Sequence, residues 1–332
     1  MNKISNKKAN KGNKTNFWQG LKKPLFVMAP MANVTDVAFR SMFAKYGKPT
    51  VMWTEFVSAD GLCSKGRKNL EKDLEFYENE RPIVAQLFGS NISKMKSAAS
   101  LVEELGFDGL DLNMGCPDRS IEKQGSGAHH IKDSEHAIEI IKSAREGAKN
   151  IPVSVKTRIG YNKIEIDTWI RTLLEQKLPV LTVHLRTRKE MSNVPAHWEL
   201  MPIIVKMRNE ISKETLIIGN GDINSIDEAK KKIQETGCDG VMIGRGIFGN
   251  PWFFSNKNIK DITIKERLTV MLEHAKAFNK YLGKIKNFAI MKKHFKAYVS
   301  EFDGAKELRV KLMESNGLKE VEKIVKDYIK ML

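Results

Sequence analysis

Residues 216–249 read LIIGNGDINSIDEAKKKIQETGCDGVMIGRGIFG and contain two short apolar runs on either side of one helix-like segment. The first run, LIIG at 216–219, leads into the polar turn NGD at 220–222. The second run, VMIG at 241–244, leads into RG at 245–246. Each run has the length and apolar character of a buried strand. A strand, a helix and a second strand in this order predict two parallel strands joined by a crossover helix.

The same pattern recurs along the middle of the chain. Eight apolar runs lead into Gly, Pro, Asn or another polar residue, at 25–29, 51–54, 83–87, 109–112, 153–156, 180–184, 216–219 and 241–244. Their starts lie 25 to 44 residues apart, which is close to one strand and one helix each. Eight such units predict a closed (β/α)8 TIM barrel, and an open doubly wound sheet is the alternative.

The pattern changes after residue 253. Helix-like segments follow one another with no strand between them, at 264–282, 287–301, 305–314 and 318–331. Apolar residues at helical spacing in the first two segments predict the core of a helical bundle. A set of nearby lysines would then face outward, as a phosphate-binding surface requires: Lys284, Lys286, Lys292, Lys293 and Lys296. The sequence therefore predicts three parts, namely a basic disordered tail at 1–23, a barrel with the catalytic site at 24–253, and a helical RNA-binding domain at 254–332.

Positive charge is concentrated at the two ends of the chain. Residues 1–23 carry seven Lys and no acidic residue, and residues 254–332 carry 18 Lys and Arg against 10 Asp and Glu. The middle, residues 24–253, carries 31 against 30 and is close to neutral. A neutral middle between basic ends suggests a small-molecule or cofactor domain with attachments that bind a polyanion.

Composition excludes several other classes of protein. No apolar run approaches the roughly 18 residues of a membrane helix, and the basic N-terminus lacks the apolar stretch of a signal peptide. The three cysteines, Cys63, Cys116 and Cys238, are too few and too widely spaced for a disulfide framework or a zinc site. We therefore expect a soluble, cytoplasmic protein without a bound metal.

Catalytic residues of a (β/α)8 barrel lie at the C-terminal ends of its strands. The candidates at those ends are Pro30, Met31, Ala32, Gln86, Asn113, Cys116, Lys156, His184, Arg186, Asn220, Gly221, Asp222, Gly244 and Arg245. Glycines let backbone N–H groups approach an anion closely, and the loops after strands 7 and 8 commonly bind phosphate in such barrels. A Rossmann site is rejected because the glycines at 244–249 open no dinucleotide-type unit near the N-terminus.

Two of these side chains suggest a specific chemistry. Cys116 lies in a Gly-Cys-Pro turn that exposes its side chain. A free thiol with a pKa of about 8.5 is mostly protonated at neutral pH, so it is better suited to donate a proton than to attack. Cys63 and Cys238 are expected to be inert small hydrophobic residues. Lys156 ends a strand in the barrel mouth, where a cation is costly to desolvate unless an anion or an electron-rich ring lies nearby.

Taken together, these residues resemble the dihydrouridine synthases, flavin enzymes that reduce uridine in tRNA, and most closely their bacterial B-type branch. The resemblance covers nearly all of residues 24–316. It is carried by APMANVTD at 29–36, QLFG at 86–89, DLNMGCP at 111–117, VKTRIG at 155–160, TVHLRTR at 182–188, NGD at 220–222, GRG at 244–246 and GNPW at 249–252, and in the helical part by Lys293-His294, Tyr298 and GAKELR at 304–309.

The resemblance implies an FMN-containing barrel whose C-terminal helices help to hold the RNA. Pro30, Met31 and Ala32 would lie against the flavin ring, with Gln86, Lys156 and His184 around its edge. Asn220, Gly221, Asp222, Gly244 and Arg245 would hold the ribityl phosphate. Cys116 would be the general acid, with Asn113 and Arg186 near the target base. NADPH would reduce FMN, hydride would pass from flavin N5 to C6 of an extruded uracil, and Cys116 would protonate C5.

The sequence departs from the family pattern in the wall that would face the substrate. Leu185 stands where the family commonly has Gly, and residues 189–198 differ while keeping Ala196 and Trp198. Three alternatives follow: the same chemistry on ribosomal RNA, a small-molecule flavin oxidoreductase similar to dihydroorotate dehydrogenase, and an RNA-binding barrel without catalysis. The basic helical domain disfavours the second, and the presence of Cys116 and Lys156 disfavours the third. We expect a monomer that binds tRNA and NADPH.

Overall fold

The computed structural model describes residues 16–255 and 257–332. The chain forms two compact units. The first comprises the described residues up to Ala32 together with Thr50–Gly244, and the second comprises Asn33–Pro49 and Arg245–Leu332. Residues 1–15 of the predicted tail lie outside the described residues.

The first unit is built on eight parallel strands. They are Leu25–Met28 (β1), Met52–Ser58 (β2), Ile83–Phe88 (β3), Gly109–Met114 (β4), Val153–Arg158 (β5), Val180–His184 (β6), Leu216–Asn220 (β7) and Gly240–Ile243 (β8). Each strand from β2 to β8 pairs with the next, and β8 pairs with β1. The ring closes between β1 and the residues before β2, where Thr50 N–H donates to Phe26 O at 2.8 Å and Met28 N–H donates to Val51 O at 3.2 Å. The predicted (β/α)8 barrel is confirmed.

Helices occupy most of the connections between strands, and four more follow β8 within residues 257–332. They are Val37–Tyr46 (α1), Ala59–Leu62 (α2), Arg67–Leu70 (α3), Ile92–Glu104 (α4), Arg119–Glu122 (α5), Ser134–Gly147 (α6), Arg171–Glu175 (α7), Met201–Ile211 (α8), Ile226–Thr236 (α9), Ile264–Leu282 (α10), Met291–Tyr298 (α11), Ala305–Glu314 (α12) and Leu318–Ile329 (α13). The sequence encodes their ends locally. For α9, the Ser225 side chain accepts the Glu228 N–H, and Gly237 ends the helix at φ 72°, a left-handed conformation that favours glycine.

One end of the predicted tail belongs to the barrel. Residues Phe17–Gly20 form a 3-10 turn, and Trp18 is 2% exposed with its ring 5.7 Å from that of Trp53. Lys23 donates to Asp239 at 2.5 Å. The prediction of a disordered tail was therefore wrong for residues 16–23, because a single turn is too short to show apolar periodicity and the surrounding lysines dominate the composition.

The second unit contains α1 together with the C-terminal helices α10 to α13. The sequence assigned residues 33–49 to the barrel, whereas Phe39 of α1 packs against the rings of His274 and His294, at 5.8 Å and 5.4 Å between centroids. Lys45 and Tyr46 both donate to Glu273 of α10 at 2.6 Å. Helix α1 joins this unit because its buried face is aromatic and its last turn carries partners for a carboxylate of α10.

The predicted lysine surface of this unit is only partly exposed. Lys284 and Lys296 are exposed, and Lys286, Lys292 and Lys293 are half-buried. The apolar stripes lie inside as expected, with Leu268, Met271 and Phe295 fully buried. In the described part of the chain, no helix is long and apolar enough to cross a membrane.

Candidate active site

A buried hydrogen-bond network forms the floor of the barrel mouth. Gln86 of β3 donates through Nε2 to Asp111 Oδ2 at 2.6 Å, and Asn113 of β4 donates through Nδ2 to Gln86 Oε1 at 3.1 Å. Ser154 of β5 donates to Asp111 Oδ1 at 2.6 Å. The parallel register places Gln86 beside Asp111, and Asp111 beside Ser154. The network is thus a direct consequence of strand pairing.

Lys156 and Asn220 connect this floor to the other side of the barrel. Lys156 Nζ donates to Asn220 Oδ1 at 3.3 Å, and Asn220 Nδ2 donates to Met242 O at 2.8 Å. Desolvation lowers the pKa of Lys156 to about 8; Arg158 lowers it further and Asp111 opposes the shift. Lys156 is therefore still a cation at neutral pH, held where the sequence predicts one.

The Cys116 loop is fixed through its backbone. Asn113 Oδ1 accepts the N–H groups of Gly115 at 3.2 Å and Cys116 at 2.9 Å. Cys116 O accepts the Ala128 N–H at 2.9 Å. Gly127, at φ 63°, must be glycine here because a Cβ would lie 2.7 Å from Cys116 O. Burial raises the pKa of the Cys116 thiol, so the thiol is protonated at neutral pH.

Arg158 holds the same loop through hydrogen bonds and was not among the site residues predicted from the sequence. Its Nε donates to Gly115 O at 2.8 Å, and its Nη1 donates to Thr187 O at 3.0 Å and Met191 O at 2.9 Å. Desolvation lowers the pKa of Arg158 to about 10, which leaves it charged. The signal was a second cation, two residues beyond Lys156 and therefore on the same face of β5.

The loops after β7 and β8 differ in why they contain glycine. At Gly221, φ is 139° and a Cβ would lie 2.6 Å from Ala196 Cβ, so the protein's own packing requires glycine. At Gly244, the nearest atoms to a Cβ would be Met31 Sδ at 3.6 Å and Ala29 Cβ at 3.7 Å, and φ is not positive. The chain itself would accept a side chain at 244. The missing Cβ therefore suits a group that must approach the backbone closely, such as a phosphate.

Three predicted site residues form one polar cluster. The Arg186 guanidinium is ion-paired with Asp222 and donates through Nη1 to His184 Nε2 at 3.1 Å and through Nε to Val194 O at 2.6 Å. Ala196 N–H donates to Asp222 Oδ2 at 2.9 Å. Arg186 is only 2% exposed. Its charge offsets that of Asp222, which removes a carboxylate charge from the side of the mouth predicted to hold phosphate.

Trp198 supports this cluster and was also missed as a site residue. Its Nε1 donates to Gly221 O at 2.9 Å. Its ring would lie 2.6 Å from a Cβ at position 219, so Gly219 is glycine to admit the indole. The only sequence signal was the Ala-x-Trp pattern that survives in an otherwise divergent segment.

The remaining predicted residues are placed as follows. Pro30 is buried, Met31 is half-buried and Ala32 is exposed, directly after β1. Arg245 begins a 3-10 turn and is the first residue of its segment in the second unit. Among the described residues, no group of three or more His, Cys, Asp or Glu side chains could hold a metal ion.

Comparison with known proteins gives consistent matches. Residues 27–332 match the family model described as Dihydrouridine synthase (Dus). A probable tRNA-dihydrouridine synthase of Staphylococcus aureus (strain MRSA252) is 40% identical over 318 residues, covering 95% of this chain and 96% of the relative. A probable tRNA-dihydrouridine synthase 2 of Bacillus subtilis (strain 168) is 40% identical over 316 residues, covering 94% and 96%.

Two solved structures share the fold at low identity. A 2-naphthoyl-CoA reductase with 2-naphthoyl-CoA superposes with a TM-score of 0.53 at 11% identity, covering 69% of this chain and 49% of that chain. A 6-hydroxypseudooxynicotine amine oxidase from Pseudomonas geniculata N1 gives a TM-score of 0.52 at 12% identity, covering 70% and 46%. The chain spans about half the length of either protein, and the likeness extends to the fold alone.

Proposed function

The chain belongs to the dihydrouridine synthase family, and from that premise we propose that it reduces uridine to 5,6-dihydrouridine in tRNA with FMN as its resident cofactor. The observation that carries the proposal is the presence of a half-buried, protonated Cys116 thiol and the Lys156 cation in one barrel mouth. A proton donor and a charge-stabilising cation are the two protein groups that reduction of a ring double bond requires.

The residues of the mouth fit the flavin mononucleotide. The protein's own packing does not require glycine at position 244, and the missing Cβ suits the close approach of a phosphate. We propose that Asn220, Gly221, Asp222, Gly244 and Arg245 hold that phosphate, that Pro30, Met31 and Ala32 lie against the ring, and that Gln86, Lys156 and His184 surround its edge. When bound, FMN supplies the hydride for uracil C6 from its N5 atom and is recharged by NADPH.

Cys116 supplies the proton for uracil C5. Burial raises the pKa of its thiol, which keeps the proton in place until the substrate arrives. The nearby Arg158 and Lys156 charges favour the thiolate and so oppose this rise, and the same charges would stabilise the thiolate that is left after proton transfer. We assign Asn113 and Arg186 to the neighbourhood of the target base.

Recognition of tRNA rests on charge. A uridine inside folded RNA must be extruded to reach a barrel mouth, and basic surfaces must hold the backbone around it. The segment 254–332 carries 18 Lys and Arg against 10 Asp and Glu. We propose that this segment binds tRNA, that the enzyme acts as a monomer in the cytoplasm, and that it needs no metal.

The test is a map of dihydrouridine at single-nucleotide resolution in total RNA from cells with and without the gene, beside an absorbance spectrum of the purified protein. Loss of particular tRNA sites with an FMN-like spectrum is the expected result. Loss at a ribosomal site would change the substrate and keep the chemistry. No loss at any site would refute the proposal, and bound FMN in that case would indicate a small-molecule oxidoreductase.

A further inference from the structure

We propose that Asp111 is a positioning residue which, as a hydrogen-bond acceptor on the barrel floor, fixes the direction of a chain of amides that holds the Cys116 loop. The chain runs from Asp111 through Gln86 and Asn113 to the backbone N–H groups of Gly115 and Cys116. The catalytic value of this positioning rests on the proposed function of Cys116, whereas the hydrogen-bond direction itself does not.

The three side chains of this chain of amides are buried. Asp111 and Gln86 are 0% exposed and Asn113 is 8% exposed. Gln86 Nε2 donates to Asp111 at 2.6 Å, Asn113 Nδ2 donates to Gln86 Oε1 at 3.1 Å, and Asn113 Oδ1 accepts the Cys116 N–H at 2.9 Å. Buried polar atoms without hydrogen-bond partners are unfavourable. Every donor and acceptor along this chain of amides must therefore find a partner, including those at its two ends.

Both ends of the chain admit only one direction. An ionised carboxylate can only accept, so Gln86 must turn its Nε2 toward Asp111 and its Oε1 toward Asn113. A backbone N–H can only donate, so Asn113 must turn its Oδ1 toward Gly115 and Cys116. The two requirements agree, because the Asn113 Nδ2 then meets the Gln86 Oε1. The amide orientations follow from the chemistry of the two ends.

A donor in place of the carboxylate would remove this agreement. A protonated Asp111, or an asparagine there, keeps an acceptor oxygen but adds a donor, so Gln86 is no longer obliged to turn its Nε2 toward position 111 and can turn over. Asn113 would then meet a donor from Gln86 and would have to turn its own NH2 toward the N–H groups of Gly115 and Cys116. Donors would oppose donors, and the Cys116 loop would lose the side chain that holds it.

The surroundings keep Asp111 an acceptor at neutral pH. The groups that face its carboxylate are the Ser154 hydroxyl and the Lys156 ammonium from β5, the Gln86 amide from β3 and the Trp53 indole from β2. Burial raises the pKa of Asp111 to about 6, and each of these groups opposes the rise. The carboxylate is therefore ionised above pH 6 and protonated below it.

The test first removes the acceptor-only side chain at position 111 and then supplies an acceptor-only side chain at position 86. The first variant is Asp111→Asn, and the second combines Asp111→Asn with Gln86→Glu, so that the amide introduced at position 111 donates to a carboxylate at position 86 that can only accept. The double variant keeps the net charge of the pair and again forces Asn113 to turn its Nδ2 inward. The readout is hydrogen exchange of the Gly115 and Cys116 amides in the full chain at pH 7.5, followed by mass spectrometry with residue-level fragmentation.

We expect exchange of both amides to become about 10-fold faster or more in Asp111→Asn, as for the loss of a buried hydrogen bond, and to return to within about threefold of the parent in the double variant. The Asp239 amide, which donates to Ile217 O at 2.9 Å, is the internal reference and should not change. Asp108→Asn is the matched control, because it removes a carboxylate directly before the same strand, where Asp108 is ion-paired with Arg81 at 2.7 Å and does not belong to the amide chain.

Two outcomes would overturn the proposal. Unchanged exchange in Asp111→Asn would show that the loop does not depend on the acceptor. Equally fast exchange in the single and double variants would show that loss of the native side chains, and not hydrogen-bond direction, is responsible. If Asp111→Asn does not fold, Ser154→Ala replaces it. Loss of this donor to Asp111 should raise the pH below which the Gly115 and Cys116 amides lose protection relative to the Asp239 amide. The proposal would also be refuted if protection of the Gly115 and Cys116 amides did not depend on pH in the parent and in Ser154→Ala.

A second readout separates this inference from the proposed function. With FMN bound and tRNA as substrate, Asp111→Asn should slow the uridine-dependent half-reaction more than the NADPH-dependent half-reaction, and the double variant should narrow the gap. A parent enzyme with no uridine-dependent half-reaction would refute the proposed function. The amide exchange results would still decide the role of Asp111.

Discussion

Acidification should destabilise the second unit through two buried histidines. His274 of α10 and His294 of α11 are both 0% exposed, and their rings lie 4.8 Å apart. Among the described residues, none of their four ring nitrogens has a hydrogen-bond partner. Burial lowers the pKa of His274 to about 3, and burial followed by the His274 and Lys293 charges lowers the pKa of His294 well below its ordinary value.

The sign and size of the effect follow from proton linkage. The unfolded chain binds protons at these histidines below an ordinary pKa of about 6.5, whereas the folded chain does not. Stability is therefore fully present above that pH and is lost as the pH falls below it. For His274 alone the loss at pH 5.0 is about 2 kcal/mol, and His294 adds to it in the same direction. A typical domain has only about 5 to 15 kcal/mol to lose.

The assay is urea unfolding followed by circular dichroism at pH 7.5, 6.0 and 5.0, in the parent and in a double variant, His274→Leu with His294→Leu. Other titrating groups affect both proteins alike, so the difference between the two isolates the pair. We expect the parent to lose at least about 2 kcal/mol more than the variant between pH 7.5 and 5.0. Equal losses in both proteins would refute the reasoning.

Three further predictions concern the barrel mouth. Cys116→Ala should leave flavin reduction by NADPH intact and slow uridine reduction by about 100-fold or more, as for loss of a general acid; collapse of both half-reactions in stopped-flow absorbance would indicate a structural role. Gly244→Ala should unfold at the same temperature as the parent and retain less FMN. Gly221→Ala should instead lower the melting temperature, because its Cβ would lie 2.6 Å from Ala196. The reverse pattern in thermal melts would contradict the proposed phosphate site at Gly244. Lys156→Met should reduce FMN content or slow flavin reduction, and spectra and kinetics identical to the parent would remove Lys156 from the site.

The barrel could be predicted because its signal repeats. Each strand is an apolar run of about the same length, and eight runs at regular spacing leave few alternatives. The placement of the glycine loops after β7 and β8 and of the Cys116 turn at the C-terminal ends of strands was predictable for the same reason. Trp18 was missed because one turn of helix has no period, and α1 was assigned to the barrel because its aromatic partners lie more than 200 residues away in sequence.

The residues that hold the candidate site in place were harder to predict than the polar residues at the ends of the strands. Arg158 acts on the carbonyls of Gly115, Thr187 and Met191, and such contacts have no sequence pattern of their own. Trp198 occupies the space left by the missing Cβ of Gly219 and donates to Gly221 O at 2.9 Å. A supporting residue acts through contacts with residues on other strands. Those contacts depend on the register of the strands, which the local sequence does not show.

Protonation states at the mouth show why the fold matters as much as the residue types. Desolvation raises the pKa of Asp111 to about 6 and lowers that of Lys156 to about 8, while it raises the pKa of Cys116. Between pH 6 and 8 the same small volume therefore holds an anion that can only accept, a cation, and a thiol that keeps its proton. Outside that window one of the first two changes state: below it Asp111 becomes a donor, and above it Lys156 loses its charge. Uridine reduction should accordingly fall on both sides of this window, the acid side following the Asp111 amide chain and the alkaline side following Lys156, and a Ser154→Ala variant should narrow the window from the acid side.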